Sequence, residues 1–379
     1  MGLLELRNEI NEIDDAMLKL FIKRMEAAKK VANYKLENNI DILNIDRENE
    51  VIERAKTYVE GSMLKNEVAR MMNLLMNSSR ALQAEIIESA ELEAKNTTII
   101  EVSKPQTIKR KVAYQGVDGS NSHEVASAYF KKDDELLKYS SFREVFESVE
   151  CGESDYGILP IENSYTGSIN EIYDYLGKSD IKIVGEYIID IRHNLMVKKG
   201  AKLDQIKKVY SHPQGFLQSR EFLNKNSHME QVSYHNTAIS AKYVSISEDQ
   251  DIAAIASNSA ASIYGLDIIN SNINDQDENK TKFIIISKEY SDSQNNNKIT
   301  LMFNVSHKAG VLHKVLSHLS HNELNISKIE SRPIDGKEWE YSFYMDIVGN
   351  INSKKIEYVL RLIENEVIDF KLLGCYKAY

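Results

Sequence analysis

Between Leu3 and Val31, apolar residues return every three or four positions: Leu3, Leu6, Ile10, Ile13, Met17, Leu20, Ala27 and Val31. That spacing draws one stripe along a long helix. A second helix is expected to start at Asp46, a good N-cap residue, and to carry Val51, Ile52 and Ala55. A third carries Leu64, Val68, Met71, Leu75, Leu82 and Ile86. Three helices without strands make a thin structure, and the long stripe of the first cannot bury itself alone. A dimer is therefore expected, and the whole chain is expected to be a homodimer or homotetramer.

The pattern changes twice further on. Residues 95–110 are polar, contain Pro105 and read as a linker. From Lys111, short apolar runs (VAYQG, YGILP, IKIVGEYIID, KKVYSH, DIAAIAS, KFIIIS) alternate with helical stretches, which predicts α/β units and a mostly parallel sheet. Phe283–Ile286 reads as a strand buried on both faces. A second linker, SDSQNNN, starts at Ser291. From Lys298 the order is strand, helix (310–321), strand, strand, helix (353–364), strand: βαββαβ, the ferredoxin-like order. The expected domains are 1–94, 111–288 and 298–379.

Composition narrows the function. The formal net charge of -10 argues against a general nucleic-acid binder. Two cysteines, Cys151 and Cys375, suggest neither a disulfide framework nor a zinc site. Charges at Glu5, Arg7 and Glu9 leave no signal-peptide core, and no apolar run approaches a bilayer span. A cytoplasmic protein without membrane partner, cofactor or metal is the expectation.

Several polar residues sit where the patterns do not require them. Arg24 interrupts the apolar stripe between Leu20 and Ala27, and Arg7 and Lys35 flank it. Arg47 and Glu48 open the second helix, and Ser79 and Gln83 lie one turn apart on the third. Interhelical salt bridges would account for these charges. So would a small pocket lined by cations and suited to a dianion. The stretch LLELRNEINEIDDAMLKLFIKRMEAAKKVANYK followed by NIDRENEVIERA resembles the all-helical chorismate mutases. The resemblance implies an interlocked helical dimer that converts chorismate to prephenate. Arg7 (from the partner subunit), Arg24 and Arg47 would grip the carboxylates. Lys35 and Gln83 would donate to the ether oxygen, Glu48 would meet the ring hydroxyl, and Ser79 would help seat a carboxylate. Asn44 stands where family members often have Asp.

In the central segment, GVDGSNSH (116–123), PIENSYTGS (160–168) and SHPQGFLQS (211–219) are polar stretches at strand ends, each expected to open a helix. Ligands in open α/β sheets collect at such ends; capped helix starts would look the same. Thr281, between two lysines, is either a plain strand start or a hydroxyl at the mouth of a cleft. PIEN, HNL, SHPQ, YGL and TKF together resemble the prephenate dehydratases. That family has a two-lobed α/β architecture similar to periplasmic binding proteins, with the site between the lobes. The resemblance makes Thr281 the proton donor to the departing hydroxyl, with Asn163, Ser164, Ser211 and Gln218 holding the substrate and Phe283 beneath its ring. His123 and His212 are alternative acids by residue type. Lys282 replaces the usual arginine, turning a bidentate carboxylate grip into a point charge.

In the last segment, KAGVL (308–312) and ESRP (330–333) resemble the two motifs of the ACT domain attached to prephenate dehydratases. Gly310, Val311, Leu312, Asn325, Glu330, Ser331, Arg332 and Pro333 would then form a phenylalanine site between subunits, although Val311 and His313 depart from the usual Gly-Ala-Leu-Val. The combined expectation is a bifunctional enzyme of phenylalanine biosynthesis under feedback inhibition. An arogenate dehydratase, or a phenylalanine-responsive binding protein with a decayed dehydratase site, are the alternatives.

Overall fold

A computed structural model describes residues 2–38, 40–95, 109–276, 278–290, 294–305, 308, 310–338 and 340–378. The first expected linker falls largely outside these residues, and the second in part. The chain divides into two compact units, Met1–Pro105 with Leu301–Lys371 and Gln106–Thr300 with Leu372–Tyr379.

The first unit begins with three helices, α1 (Leu3–Glu37), α2 (Ile45–Thr57) and α3 (Lys65–Lys95). Both α1 and α2 pack on α3. The cap of α2 is Asn44, whose side chain accepts from the Arg47 N–H at 2.9 Å, two residues before the expected Asp46. An amide oxygen there satisfies one of the orphan donors of the first turn. Only Ala28 and Ala32 of α1 are buried. The stripe from Leu3 to Leu20 is bare in the single chain, with Leu3 66% and Leu20 67% exposed.

The second unit holds two sheets. Its elements are β1 (Lys111–Gln115), α4 (Asn121–Tyr129), β2 (Glu135–Tyr139), α5 (Phe142–Cys151), β3 (Tyr156–Asn163), β4 (Gly167–Ser168), α6 (Asn170–Lys178) and β5 (Lys182–Asp190), then β6 (Asn194–Val197), β7 (Lys208–Ser211), α7 (Pro213–Leu217), α8 (Arg220–Lys225), β8 (Glu230–Ser233), α9 (Thr237–Ile246), β9 (Ile252–Ala256), α10 (Asn258–Tyr264), β10 (Asp267–Asn270) and β11 (Lys280–Ser287). One sheet runs β2-β1-β3-β11-β5, with β4 beside β3; the other runs β10-β6-β9-β7-β8. Each lobe has its own apolar core, Tyr114, Ile158, Phe283 and Ile285 in one and Leu195, Val209, Ala253 and Ile255 in the other.

The sheets are more mixed than expected. β11 runs antiparallel to both neighbours, β3 and β5. Its apolar run is continuous because it is an interior strand covered on both faces, a property the pattern could not separate from a parallel one. PIEN ends β3 and turns into β4, so the helix there begins only at Asn170.

The remaining elements are β12 (Lys298–Asn304), α11 (Val311–His321), β13 (Ile326–Pro333), β14 (Tyr341–Val348), α12 (Lys354–Glu366) and β15 (Ile368–Tyr376). Their sheet order is β13-β14-β12-β15, with β13 at an edge. Within the first unit, α11 and α12 pack on α3.

Candidate active sites

A cavity of about 380 Å³ opens in the second unit, lined from both lobes. From the first sheet come Pro160 and Asn163 at the end of β3, and Thr281 and Phe283 of β11. The other lobe contributes His193, His212, Gly215 and Gln218. No Asp, Glu, Lys or Arg is among the described residues that line it. Its polarity comes from neutral side chains and helix starts. Asn121 and Ser122 open α4 and Thr237 opens α9, and all three line the cavity. Their caps, Ser120 and Asn236, each satisfy one N–H, of His123 and of Ile239. The other first-turn donors remain for an anion.

Thr281 is 7% exposed and receives a hydrogen bond from Asn163 Nδ2 at 2.9 Å. Asn163 Oδ1 accepts from the backbone N–H of Tyr165 at 3.0 Å and of Thr166 at 3.1 Å. Two backbone donors on one oxygen fix the amide, so Nδ2 must be the donor. Thr281 Oγ1 is thus an acceptor on the protein side, and its proton is left for the cavity.

The same logic runs onward. Asn163 Nδ2 also donates to Asn279 Oδ1 at 2.8 Å, so Asn279 Nδ2 donates to Gln218 Oε1 at 2.9 Å. His193 Nε2 lies 2.8 Å from that same oxygen and must carry its proton there. The NH2 of Gln218 remains for a ligand. Burial lowers the proton affinity of His193 and His212, so both are neutral near pH 7. His212 Nδ1 accepts from the Gln214 N–H at 3.2 Å. Gly215 is required here, since a Cβ would lie 2.5 Å from Ser211 Oγ.

In the helical segment a second polar cluster lies between α1, α2 and α3. Arg24 Nη1 donates to the Leu75 carbonyl at 2.7 Å and to Ser79 Oγ. Lys35 Nζ donates to the Ile42 carbonyl at 2.5 Å. Both cations are bound by neutral oxygens. Burial lowers the proton affinity of each, and for Lys35 the charge of Glu48 opposes that shift. Gln83 is 7% exposed, and its Oε1 has no partner among the described residues. A buried polar atom of this kind calls for a partner.

The sequence profile of prephenate dehydratase matches residues 112–291, and that of chorismate mutase type II matches residues 6–84. The bifunctional chorismate mutase/prephenate dehydratase of Enterobacter agglomerans is 32% identical over 99% of this chain and 96% of its own. The chain belongs to this family. Among solved structures, the prephenate dehydratase of Staphylococcus aureus is 26% identical, with a TM-score of 0.63, covering 70% of this chain and 100% of its own. A protein described as a quorum quenching acylase, GqqA, is also 26% identical, with a TM-score of 0.66 over 71% of this chain and 98% of its own.

Against the family's expected residues, the dehydratase cleft gathers Asn163, Gln218, Thr281 and Phe283. Ser164 and Ser211 are placed elsewhere. Ser164 is exposed and bonds the Lys280 N–H at 2.9 Å. Ser211 is fully buried and donates to the Ile255 carbonyl at 3.0 Å, beneath Gly215. Lys282 does not line the cleft; it lies 3.4 Å from Glu162. Successive strand residues face opposite ways, so Thr281 and Phe283 point in and Lys282 points out. His123 accepts from the Gly119 N–H at 3.3 Å and does not line the cavity, whereas His212 does. His193 was legible only within HNL, and Asn279 had no signal of its own. Lys282→Met is expected to leave the dehydratase rate within about twofold, as for a substitution away from the site. A loss of a hundredfold on prephenate would place Lys282 in the machinery.

In the mutase segment the structure joins Arg24 with Ser79, and Lys35 with the electrostatic field of Glu48. Asn44 caps α2 and Arg47 pairs with Glu50 at 2.6 Å on the exposed surface. Arg7 lies seventeen residues before Arg24 on α1, about 25 Å along the same helix. It cannot join Arg24 within one chain. Glu48 forms an ion pair with Arg80, a residue the apolar pattern did not single out.

Proposed function

We propose that the chain carries out two consecutive reactions in separate places: chorismate to prephenate among the helices, and prephenate to phenylpyruvate in the α/β cleft. The observation that carries the second is the donor-locked Thr281 hydroxyl, aimed at a cavity with no charged side chain among the described residues that line it. As the C–CO2 bond breaks, its electron pair moves through the ring and expels the ring hydroxyl. Thr281 gives that leaving group its proton, so it departs as water. The developing charge on Oγ1 is met by Asn163 Nδ2. Gln218 and the starts of α4 and α9 hold carboxylates, and Phe283 supports the ring. Aromatisation supplies the driving force, which lets a weak acid serve.

The first reaction is a pericyclic rearrangement, needing no nucleophile, metal or cofactor. Arg24, Lys35 and Gln83 force the reactive conformer and meet charge on the ether oxygen. Arg47, Glu48, Ser79 and Asn44 complete the binding set, with Arg7 arriving from a partner subunit. The bare stripe of α1 and the distance from Arg7 to Arg24 both favour a homodimer or a larger homo-oligomer.

The segment 298–379 we read as an ACT domain on a ferredoxin-like βαββαβ frame, beside domains at 1–94 and 111–288. The strand order β13-β14-β12-β15 supports this. Gly310, at φ 89°, caps α11 ahead of Val311 and Leu312. Glu330, Ser331, Arg332 and Pro333 lie on the edge strand β13, and Asn325 just before it, open to a second subunit. Among the described residues no helix is long and apolar enough to cross a membrane, which suits a cytoplasmic enzyme.

Turnover of prephenate and of arogenate, with and without millimolar phenylalanine, tests this reading. The expected result is a faster rate on prephenate and inhibition by phenylalanine. A faster rate on arogenate would reassign the substrate. No turnover of either would leave a binding protein, and an unchanged rate would remove the sensor.

A further inference from the structure

Arg80 follows Ser79 on α3 and is 6% exposed, a depth at which a guanidinium is costly unless its charge is met. Three other helices of the same unit surround it. Nη1 forms an ion pair with Glu48 on α2, and Nη2 donates to Asn77 on α3 itself. The guanidinium carbon lies 5.6 Å from the ring centroid of Tyr358 on α12, a cation–π contact. Tyr358 is 4% exposed, and its hydroxyl has no partner among the described residues. The ring is the face of Tyr358 that Arg80 stacks over. His318 on α11 is half-buried; burial lowers its proton affinity, the charge of Glu366 opposes that shift, and Arg80's charge adds to it.

Glu48 is the acid that the mutase reading sets against the ring hydroxyl of the substrate. Its partner is fixed from behind by an aromatic ring that belongs to the C-terminal segment. We propose that Arg80 is a positioning residue of the mutase site: it fixes Glu48, and the Tyr358 ring fixes Arg80, so the βαββαβ segment supplies part of the mutase framework. This rests on the mutase reading given above.

The test is a double-mutant cycle in the full-length protein, reading mutase kcat/KM for wild type, Arg80→Met, Glu48→Gln and the double variant. If Arg80 acts through Glu48, Arg80→Met lowers kcat/KM about tenfold on its own and less than about twofold when Glu48→Gln is already present. Equal losses in both backgrounds would make Arg80 a merely structural residue and overturn the proposal. Tyr358→Phe keeps the ring and is expected to match wild type. Tyr358→Leu is expected to lower mutase kcat/KM about threefold or more, with an unchanged dehydratase rate on prephenate. Wild-type mutase efficiency in Tyr358→Leu would overturn the anchoring role. Should Arg80→Met also lose dehydratase activity, a sign of misfolding, Arg80→Lys carries the same cycle with the charge kept and the planar fork removed. A wild-type protein without mutase activity would refute the mutase reading and this inference with it. An active wild type with additive losses refutes this inference alone.

Discussion

Thr281→Ala is expected to lower the dehydratase rate by about 10²–10⁴-fold, the range a positioned acid contributes, while leaving the mutase rate intact. The reason lies in the direction of each hydrogen bond around Oγ1. Asn163 Oδ1 is held by the N–H groups of Tyr165 and Thr166, so Asn163 Nδ2 faces Thr281 as a donor. No rotation of the threonine hydroxyl toward Asn163 is productive, and its proton is available to a substrate. Thr281→Ser keeps the hydroxyl and is expected to retain most activity, whereas Thr281→Val keeps the shape and is expected to behave like alanine. Steady-state rates on prephenate and on chorismate, measured on the same preparations, separate these outcomes. Near-normal dehydration by Thr281→Val would remove Thr281 as the acid and turn attention to His212, one of the histidines that line the cavity.

Arg24→Ala is expected to have the opposite effect, a mutase loss of about 10²–10³-fold with dehydratase activity preserved. Among the described residues Arg24 has no acid as its bonding partner; its guanidinium rests on the Leu75 carbonyl and Ser79 Oγ. Its positive charge is thus still to be met by a ligand, which a dicarboxylate would do. Arg24→Lys should recover only part of the rate, because a point charge cannot make the two parallel bonds of a guanidinium fork. Equal loss of both activities would mean either that Arg24 holds the fold or that the two reactions share one site.

The long stripes were readable because helix periodicity survives in sequence whether or not a partner covers it, and α1 follows the spacing from Leu3 onward. The βαββαβ order and the polar strand ends were readable for the same local reason. What sequence could not give was pairing at a distance. Gln218 and Asn279 meet across sixty-one positions, and nothing local announces it. Glu48 and Arg80 likewise meet only once α2 has packed on α3. Lys282 is instructive in a different way. The alternation of a strand already sends it to the face opposite Thr281 and Phe283, so its distance from the cleft was available from the pattern. Ser211 and Ser164 sit in motifs that do reach the site region. One closes a buried contact beneath Gly215 and the other ties a turn to Lys280, and a motif does not distinguish such supports from contacts with substrate. Asn44 stands where family members often have Asp, and its side-chain oxygen caps the first turn of α2.

The central claim is that one chain passes a small dicarboxylate through two sites in succession. Its most direct test is to incubate the purified full-length protein with chorismate alone and follow all three acids by chromatography over time. The account predicts falling chorismate, a transient or steady pool of prephenate, and accumulating phenylpyruvate. Stable chorismate, or prephenate that accumulates without phenylpyruvate beyond its spontaneous rate of formation, would contradict it.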